Sequence, residues 1–212
     1  MFIELVDVLR CPNPHEETWL VLAAEQMNER DAIEGTLGCP ICHAEYRIVG
    51  GVAHFDRGAH RQPRSESHDE NEAIRLAALL DLTDARGYAI LVGDTGIHAP
   101  GLRDHTDVQL LLVNPPPGIA MGGGLSGLTS APASSLPLAA ASARGIALDA
   151  AATPQQLDAA LGVVSAGGRI VAPIALPVPR GVTELARDDR HWVAERSSAP
   201  IASGFVKLHR RE

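Results

Sequence analysis

Four short, mostly apolar runs in the second half of the chain constrain its fold most strongly. They cover residues 88–92, 108–113, 144–148 and 168–172. Short apolar runs between glycine, proline and polar residues are typical of strands that are buried on both faces of a parallel sheet. Helical patterns cover residues 72–82 and 154–164, the second with Thr153 as N-cap and Pro154 at its first position. This order of elements predicts an α/β fold with a mostly parallel, Rossmann-like sheet.

The composition agrees with layered α/β packing. Hydrophobic residues make up 45% of the chain but aromatic residues only 3%, so small and branched aliphatic side chains must fill the core. Residues 114–135, which are rich in proline, glycine and serine, are predicted to form one long loop. Residues 191–196 and 203–209 are predicted to end the sheet as an antiparallel pair.

The first 56 residues follow a different pattern. Short strands are predicted over residues 19–24, 31–37 and 46–52. Residues 2–9 before them are predicted to be a short helix or a strand. A β-rich module of this size, with few large apolar side chains, is expected to need a metal to hold it together. The chain is therefore predicted to consist of a small domain at 1–56, a polar linker at 57–71 and a second domain at 72–212.

Cysteine and histidine spacing predicts a zinc site in the N-terminal module. Cys39 and Cys42 form a Cys-x-x-Cys pair, a spacing with which one loop supplies two ligands to a tetrahedral zinc. The first pair is incomplete, since Pro14 stands where a cysteine matching Cys11 would fall. His15 follows directly and can complete the set, because imidazole is a good zinc ligand. The predicted metal ligands are Cys11, His15, Cys39 and Cys42.

Three alternatives stay open for these residues. Cys11 can be a small buried hydrophobic residue and Cys39 and Cys42 free thiols, with His15 on the surface. Cys39 and Cys42 can be a redox pair, although no thioredoxin-like βαβ pattern surrounds them. His43 can replace His15 as a ligand, although it directly follows Cys42. An odd number of cysteines cannot form a closed set of disulfides, and this points to a reducing cytoplasm.

Two segments of the module carry a family resemblance. They are Leu-Val-Asp-Val-Leu-Arg-Cys-Pro at 5–12 and Gly-Cys-Pro-Ile-Cys-His-Ala-Glu-Tyr-Arg-Ile-Val-Gly-Gly-Val at 38–52. They resemble the small zinc-ribbon family that includes the activator subunit of tRNA and protein-release-factor methyltransferases. The resemblance covers residues 2–56 and implies a module that binds and stabilises another protein without catalysing a reaction. Pro14, in place of the family's second cysteine, is the main departure.

A glycine-containing turn follows the first predicted strand of the second domain. Its sequence is Gly93-Asp94-Thr95-Gly96. Turns of this kind allow backbone N–H groups to approach a nucleotide or adenosyl ligand closely. The next predicted strand ends at Asn114, at a position where a side chain would meet the ribose hydroxyls. The predicted cofactor-binding residues are Gly93, Asp94, Gly96 and Asn114.

The order of these pieces over residues 72–212 resembles the class I S-adenosylmethionine-dependent methyltransferases. Leu-Pro-Leu at 136–138 and Val-Ser-Ala-Gly-Gly-Arg-Ile-Val at 164–171 extend the resemblance beyond the turn. It implies a Rossmann-like fold and an S-adenosylmethionine site. Three departures indicate a degenerate cofactor site. The turn is shorter than the family's Gly-x-Gly-x-Gly run, only residues 97–107 connect it to the next strand, and Asn114 replaces an acidic residue.

No catalytic set is predicted. Asn114-Pro-Pro resembles the motif of amino-group methyltransferases, but Pro117 replaces the aromatic ring of that motif. The motif also follows the second predicted strand and not the fourth, so a rigid loop is the better interpretation. The nine histidines are scattered, and His98, His105 and His191 have no nucleophile near them in sequence, so a structural role is the better interpretation for each.

Charge narrows the classes of partner. The net charge of -8 argues against wide contacts with a nucleic-acid backbone. Residues 1–60 hold 4 basic and 10 acidic side chains, which favours a basic protein surface as the partner of this part. The longest apolar stretch, residues 159–176, is interrupted by Arg169 and Pro173, so no membrane span is predicted. Residues 1–10 lack the pattern of a secretory signal.

These observations together predict a non-catalytic or weakly catalytic cytoplasmic protein that acts through protein association. It would combine a zinc ribbon with a degenerate methyltransferase-like domain and bind a protein partner or form a homodimer. Two alternatives stay open. One is an active S-adenosylmethionine-dependent methyltransferase, and the other is a sensor that binds an adenosyl ligand without transferring a methyl group.

Overall fold

The computed structural model describes residues 1–56, 70–130 and 136–197. In these ranges the helices are α1 (Ile3–Val6), α2 (Glu70–Leu79), α3 (Ala99–Arg103) and α4 (Pro154–Val163), and a 3₁₀ helix covers Gly93–His98. The strands are β1 (Val21–Asn28), β2 (Asp31–Gly38), β3 (Glu45–Val49), β4 (Val52–His54), β5 (Tyr88–Val92), β6 (Gln109–Val113), β7 (Leu125–Thr129), β8 (Ala143–Ala147), β9 (Val164–Pro173), β10 (Val182–Arg187) and β11 (His191–Arg196). All eleven strands belong to one sheet in the order β1-β2-β3-β4-β7-β6-β5-β8-β9-β11-β10.

The five central strands are parallel to one another. They run in the order β7, β6, β5, β8 and β9. Numbered by their sequence within this unit, they have the order 3-2-1-4-5 of a doubly wound Rossmann sheet. The strand order reverses between β5 and β8, and ligands of such sheets bind outside the carboxyl ends of the strands at this point. The prediction of an α/β fold with a parallel, Rossmann-like sheet is confirmed for the described residues.

The N-terminal strands extend this sheet. β1 to β4 pair antiparallel in sequence order, and β4 then pairs in parallel with β7. Gly127 in β7 permits the approach, since a Cβ atom there would lie 2.9 Å from Cγ2 of Val52. A core cluster on one side of the sheet includes Leu37 and Ile48 as well as Ile90 from β5. The two predicted domains therefore share a sheet and a core, while their predicted boundary falls largely on residues 57–69, outside the described residues.

Helices cover both faces of the parallel strands. On one face α4 and the segment around α1 pack against the side chains of Ile90 and Ile146. On the other face α2 contributes Leu76 and α3 contributes Leu102 to a second cluster with Leu91. Successive residues of a strand point to opposite faces, so burial on both sides explains the near-continuous apolar runs. No helix within the described ranges is long and apolar enough to cross a membrane.

The predicted long loop at residues 114–135 contains a strand, and this prediction was wrong. β7 is buried along its whole length although it includes Ser126 and Gly127. Two long-range contacts make these residues suitable: the backbone N–H of Phe2 donates to Ser126 Oγ at 2.8 Å, and Gly127 makes room for Val52. Both contacts come from the N-terminal 56 residues, so the sequence around β7 alone could not show that a polar residue and a glycine would be accommodated in a buried strand.

Other element boundaries also needed correction. The third predicted strand, residues 46–52, is divided into β3 and β4 by a turn at Gly50 and Gly51, which have positive φ angles of 56° and 79°. β11 pairs with β9 on one side and with β10 on the other. Residues 191–196 thus form an antiparallel strand, as predicted, with β9 and β10 as its partners. Residues 203–209 lie outside the described residues.

Candidate functional site

The four predicted metal ligands lie together at one end of the N-terminal strands. The ligand atoms of Cys11, His15, Cys39 and Cys42 all lie within 4.8 Å of one another. Cys11 Sγ is 3.7 Å from Cys42 Sγ, and Cys39 Sγ is 3.4 Å from His15 Nε2. Pro14 therefore does not disrupt the cluster, because His15, one residue further along the chain, lies beside the three sulfurs.

Two of the six separations between the ligand atoms match those of a tetrahedral zinc, and all six are within 4.8 Å. With Zn–S bonds of ~2.3 Å and Zn–N bonds of ~2.0 Å, two sulfurs are separated by about 3.8 Å and a sulfur and a nitrogen by about 3.5 Å. The 3.7 Å and 3.4 Å separations in the cluster are close to both values. Three thiols and one imidazole are also a usual donor set for structural zinc. The residues present thus fit the metal that the sequence predicts.

His15 is oriented by the backbone. Its Nδ1 lies 2.6 Å from the carbonyl oxygen of Glu16. A carbonyl oxygen can only accept a hydrogen bond, so Nδ1 carries the proton, and this contact raises the pKa of His15. Nε2 keeps its lone pair and faces Cys39. Histidines that bind a metal through one ring nitrogen usually donate the N–H of the other to a carbonyl or carboxylate oxygen, as Nδ1 does here.

Two further side chains contact the sulfurs. Asn13 Nδ2 donates to Cys42 Sγ at 3.3 Å, and this hydrogen bond is the main cause that lowers the pKa of Cys42 to about 6. The Tyr46 hydroxyl lies 3.4 Å from Cys11 Sγ. Burial raises the pKa of the Cys11 thiol and that of the Tyr46 hydroxyl. Neither Asn13 nor Tyr46 is a residue type that the metal spacing predicts, although Asn13 lies between Cys11 and His15.

The second ligand loop has the geometry of a tight turn. The N–H of Cys39 donates to the Ala44 carbonyl at 2.9 Å, and the N–H of His43 donates to the Cys39 carbonyl at 3.0 Å. His43 has a positive φ of 56°, which ends the turn and redirects the chain into β3. Among the described residues, the group of possible metal ligands includes His15 and not His43. The fold therefore brings His15, and not the alternative His43, to the three sulfurs.

The glycine-containing turn lies at the switch point of the parallel sheet. Gly93 has a positive φ of 60°, and a Cβ atom at this position would overlap the carboxylate of Asp149. Asp149 follows β8, and its Oδ2 accepts the N–H of Asp94 at 3.2 Å. Its Oδ1 accepts the N–H of Ala151 at 3.0 Å. A carboxylate of the chain itself therefore occupies the position beside the turn and uses one of its backbone donors.

Gly96 and Asn114, the other two predicted cofactor-binding residues, have structural contacts. Gly96 is buried, and a Cβ atom there would lie 2.9 Å from Cδ of Pro116. Asn114 ends β6 with a positive φ of 52°. Its side-chain Oδ1 accepts the N–H of Ser130 at 2.9 Å, which fixes the chain after β7.

An open cleft of about 750 Å³ borders the same edge of the sheet; we call it the switch-point cleft. It is lined by Glu72, Leu76, Asp94, Thr95, His98, Asp149, Ala150, Pro173, Arg190 and His191. Ion pairs cross one side of it: Glu72 in α2 contacts Arg75 at 2.6 Å and Arg190 before β11 at 3.0 Å. Burial lowers the pKa of His191. The polar groups of this wall are thus largely engaged with one another.

Sequence reasoning missed the most informative residue of this region, Asp149. Its position directly after the predicted strand at 144–148 was visible, and the end of a strand neighbouring the switch point is where a ligand-facing or turn-facing side chain is expected. The order of the strands was needed to place β8 beside β5. That order depends on long-range pairing that local patterns do not contain.

Comparisons with known proteins give only distant structural similarity. No protein-family model matches the sequence, and no curated protein matches it. A Corynebacterium glutamicum protein is similar in structure with a TM-score of 0.44 and 14% identity, over 63% of this chain and 84% of the other.

Two methyltransferase structures are also similar. The antibiotic-resistance methyltransferase Kmr has a TM-score of 0.39 and 17% identity, over 65% of this chain and 98% of its own. The Escherichia coli protein yhhF, described as a methyltransferase, has a TM-score of 0.40 and 12% identity, over 66% and 92% of the two chains. Similarity at this level does not assign an activity, and the fold is assigned from the strand order above.

Proposed function

We propose that this protein is a methyltransferase-like protein without efficient methyl transfer, in which a structural zinc centre supports a module for protein association. The observation that carries the proposal is the position of Asp149. Its carboxylate lies against the Gly93 turn and accepts the N–H of Asp94. In a cofactor-binding sheet this turn must present its backbone donors to the ligand.

Charge affects this turn in a way that depends on which group of the ligand approaches it. The turn has Asp94 within it and Asp149 against it, so an adenosyl amino acid that brought its own carboxylate to these donors would meet like charge. Repulsion between carboxylates opposes that orientation, whereas the ammonium and sulfonium groups of S-adenosylmethionine would be attracted by the same side chains. The second strand ends in Asn114, whose side-chain oxygen is used by Ser130. Neither strand end offers the contacts that the resemblance implies.

The zinc centre completes the N-terminal half of the proposal. Cys11, His15, Cys39 and Cys42 would hold the ion with all four positions filled by protein. A zinc without an open position supports structure and does not activate a substrate. Cys39 is 3% exposed and belongs to the core cluster that also includes Ile90 of β5. The bound metal would therefore stabilise the whole shared core and not only the loops that hold it.

Association through the N-terminal module is the functional part of the proposal. In the family that this module resembles, such a ribbon serves a methyltransferase subunit. Here β4 of the module pairs with β7 of the parallel sheet, so activator-like and methyltransferase-like parts are joined within one chain. The acidic module also exposes Trp19, Val21 and Ile41 by 66%, 63% and 47%. A basic protein with an apolar contact surface, or a second copy of the chain, is the proposed partner of this module.

Thermal denaturation with ligand tests the proposal. Millimolar S-adenosylmethionine or S-adenosylhomocysteine should leave the melting temperature unchanged, because a ligand raises it only by binding the folded state. S-adenosylhomocysteine lacks the transferable methyl group, so it reports on the pocket without turnover. A rise in the melting temperature with either ligand would contradict the proposal.

The switch-point cleft supports a second candidate function, an adenosyl-ligand sensor. Its volume of about 750 Å³ is within the range of small-molecule sites. A ligand-induced rise in melting temperature without methyl transfer to any added substrate would support the sensor. The same rise together with transfer of a radioactive methyl group would support an active methyltransferase.

A further inference from the structure

The cluster of sulfurs is asymmetric in its exposure. Cys42 is exposed, Cys11 is half-buried and Cys39 is buried at 3% relative exposure. Cys11 and Cys42 come from two separate loops, and their Sγ atoms lie 3.7 Å apart. Cys39 is directed toward His15, with its Sγ 3.4 Å from Nε2. The two accessible sulfurs of the cluster are thus each other's neighbours.

We propose that Cys11 and Cys42 are a site of oxidative modification, which hydrogen peroxide converts to a disulfide and thereby opens the metal centre. The inference rests on the proposed zinc centre for its regulatory meaning, since loss of the metal is its consequence. The disulfide itself depends only on the position and exposure of the two sulfurs.

The chemistry balances with peroxide as the oxidant. The Cys42 thiolate attacks one peroxide oxygen, the O–O bond breaks, and the hydroxide that leaves takes up a proton to become water. Cys42 is then a sulfenic acid. The Cys11 thiolate attacks its sulfur, the S–S bond forms, the S–O bond breaks, and a second hydroxide leaves as water after protonation. Two electrons pass from the two thiolates to the peroxide.

Exposure favours this pair of cysteines over the Cys-x-x-Cys pair, since the side chain of Cys39 also contacts that of Cys42 but is buried. Peroxide can reach the exposed Cys42 first, because reaction requires access as well as thiolate character. Cys11 in contact with Cys42 must move its sulfur by about 1.7 Å to reach a disulfide bond length of ~2.05 Å. Cys39 is enclosed by the core, and its sulfur also accepts the backbone N–H of Cys42 at 3.5 Å. It is therefore expected to stay reduced.

Formation of the disulfide leaves too few ligands for the metal. Only Cys39 and His15 would remain, whereas structural zinc needs four ligands. Because Cys39 belongs to the shared core, release of the metal would loosen the packing between the N-terminal strands and the parallel sheet. Oxidation at the surface is thus coupled to the stability of the whole chain.

Peptide mapping of the full chain tests the inference. Trypsin cleaves after Arg10, Arg30 and Arg47, which places Cys11 in one peptide and Cys39 with Cys42 in another. After peroxide treatment and alkylation without reductant, the two peptides should be cross-linked, with Cys42 as the joined residue by fragmentation. A Cys39–Cys42 disulfide within one peptide, a link through Cys39, or oxidation of Cys42 without any link would overturn the inference.

Zinc measurement separates this inference from the proposed function. Metal analysis before peroxide should give about one zinc per chain, and its absence would count against the zinc centre while the peptide map still decides the disulfide. A chromogenic chelator should detect release of that zinc after peroxide, and dithiothreitol with added zinc should restore binding. Zinc that stays bound beside a mapped Cys11–Cys42 disulfide would contradict opening of the centre.

A substituted chain provides the control. Cys42→Ser should abolish the cross-link between the two peptides under the same treatment. Persistence of the link in this variant would show that Cys39 is the partner and would contradict the assignment. The wild-type map decides the question by itself if the variant does not fold.

Discussion

The metal cluster and the Gly93 turn differ in what occupies their polar groups. In the cluster, four side chains from two loops converge to distances that suit one tetrahedral ion. At the turn, the chain's own Asp149 carboxylate lies against Gly93 and accepts the N–H of Asp94. The first motif lacks a cysteine and its side chains still converge, whereas the second contains two glycines and contacts a carboxylate of the chain itself. The completeness of a motif is therefore a poorer guide to what its groups contact than the surroundings of the motif.

The largest effect is expected from Cys39→Ser. Cys39, a proposed zinc ligand, is buried in the core that β2, β3 and the parallel strands share. Loss of a structural zinc can remove on the order of 10 kcal/mol of folding free energy, so the whole chain should unfold in the variant, as seen by circular dichroism and metal analysis. Retention of a wild-type melting temperature would show that the cluster is not needed for the fold.

A pair of histidine substitutions sharpens the metal side of the comparison. His15→Ala should weaken zinc binding by more than the ~10- to 100-fold that loss of an outer contact costs, measured by competition with a chelator. His43→Asn is the matched control, since asparagine tolerates the positive φ of this position. Equal zinc affinities of the two variants would exclude His15 as a ligand.

Gly93→Ala tests the crowding at the turn. A Cβ atom would be strained by the positive φ and would overlap Asp149, so the free energy of unfolding should fall by about 2 to 3 kcal/mol in urea denaturation. Gly50→Ala is the control, because Gly50 has a similar φ of 56° and open space around it. Its cost should be the smaller of the two.

A double-mutant cycle extends this test. Combining Gly93→Ala with Asp149→Ala should recover the part of the cost that comes from overlap, which appears as a coupling free energy of about 1 kcal/mol or more. Additive effects of the two substitutions would mean that Asp149 does not lie against Gly93 in solution.

The smallest effect concerns pH. Burial, and then the charge of Arg75, lower the pKa of His191 in the wall of the cleft. The unfolded chain therefore binds a proton at this residue that the folded chain does not bind, and stability falls as the pH drops below about 6.5. His191→Gln should make the decrease of unfolding free energy between pH 7.5 and about 5.5 shallower. An unchanged slope would mean that His191 does not contribute to it.

The fold was predictable where patterns are local. The apolar runs of β5, β6, β8 and β9 and the capped start of α4, where Thr153 accepts the N–H of Gln156, all appear in the structure. The spacing of the cysteines and His15 also sufficed to name the group that converges. Each of these features depends on residues that are close together in the sequence, so the local pattern contains the information needed to predict it.

Long-range features were not predictable in this way. β7 depends on Phe2 and Val52 to accommodate its Ser126 and Gly127. The carboxylate at the Gly93 turn comes from a residue more than fifty positions away. A single sequence does not show which strands become neighbours in the sheet. These contacts form only once the strand order is set, so they could not be predicted.

A crystal structure of the protein soaked with millimolar S-adenosylhomocysteine tests the central claim most directly. The account predicts that Asp149 stays hydrogen-bonded to the N–H of Asp94 and that no ligand density lies beside the Gly93 turn. Ordered adenosyl density at that turn, with the Asp149 carboxylate displaced, would contradict it.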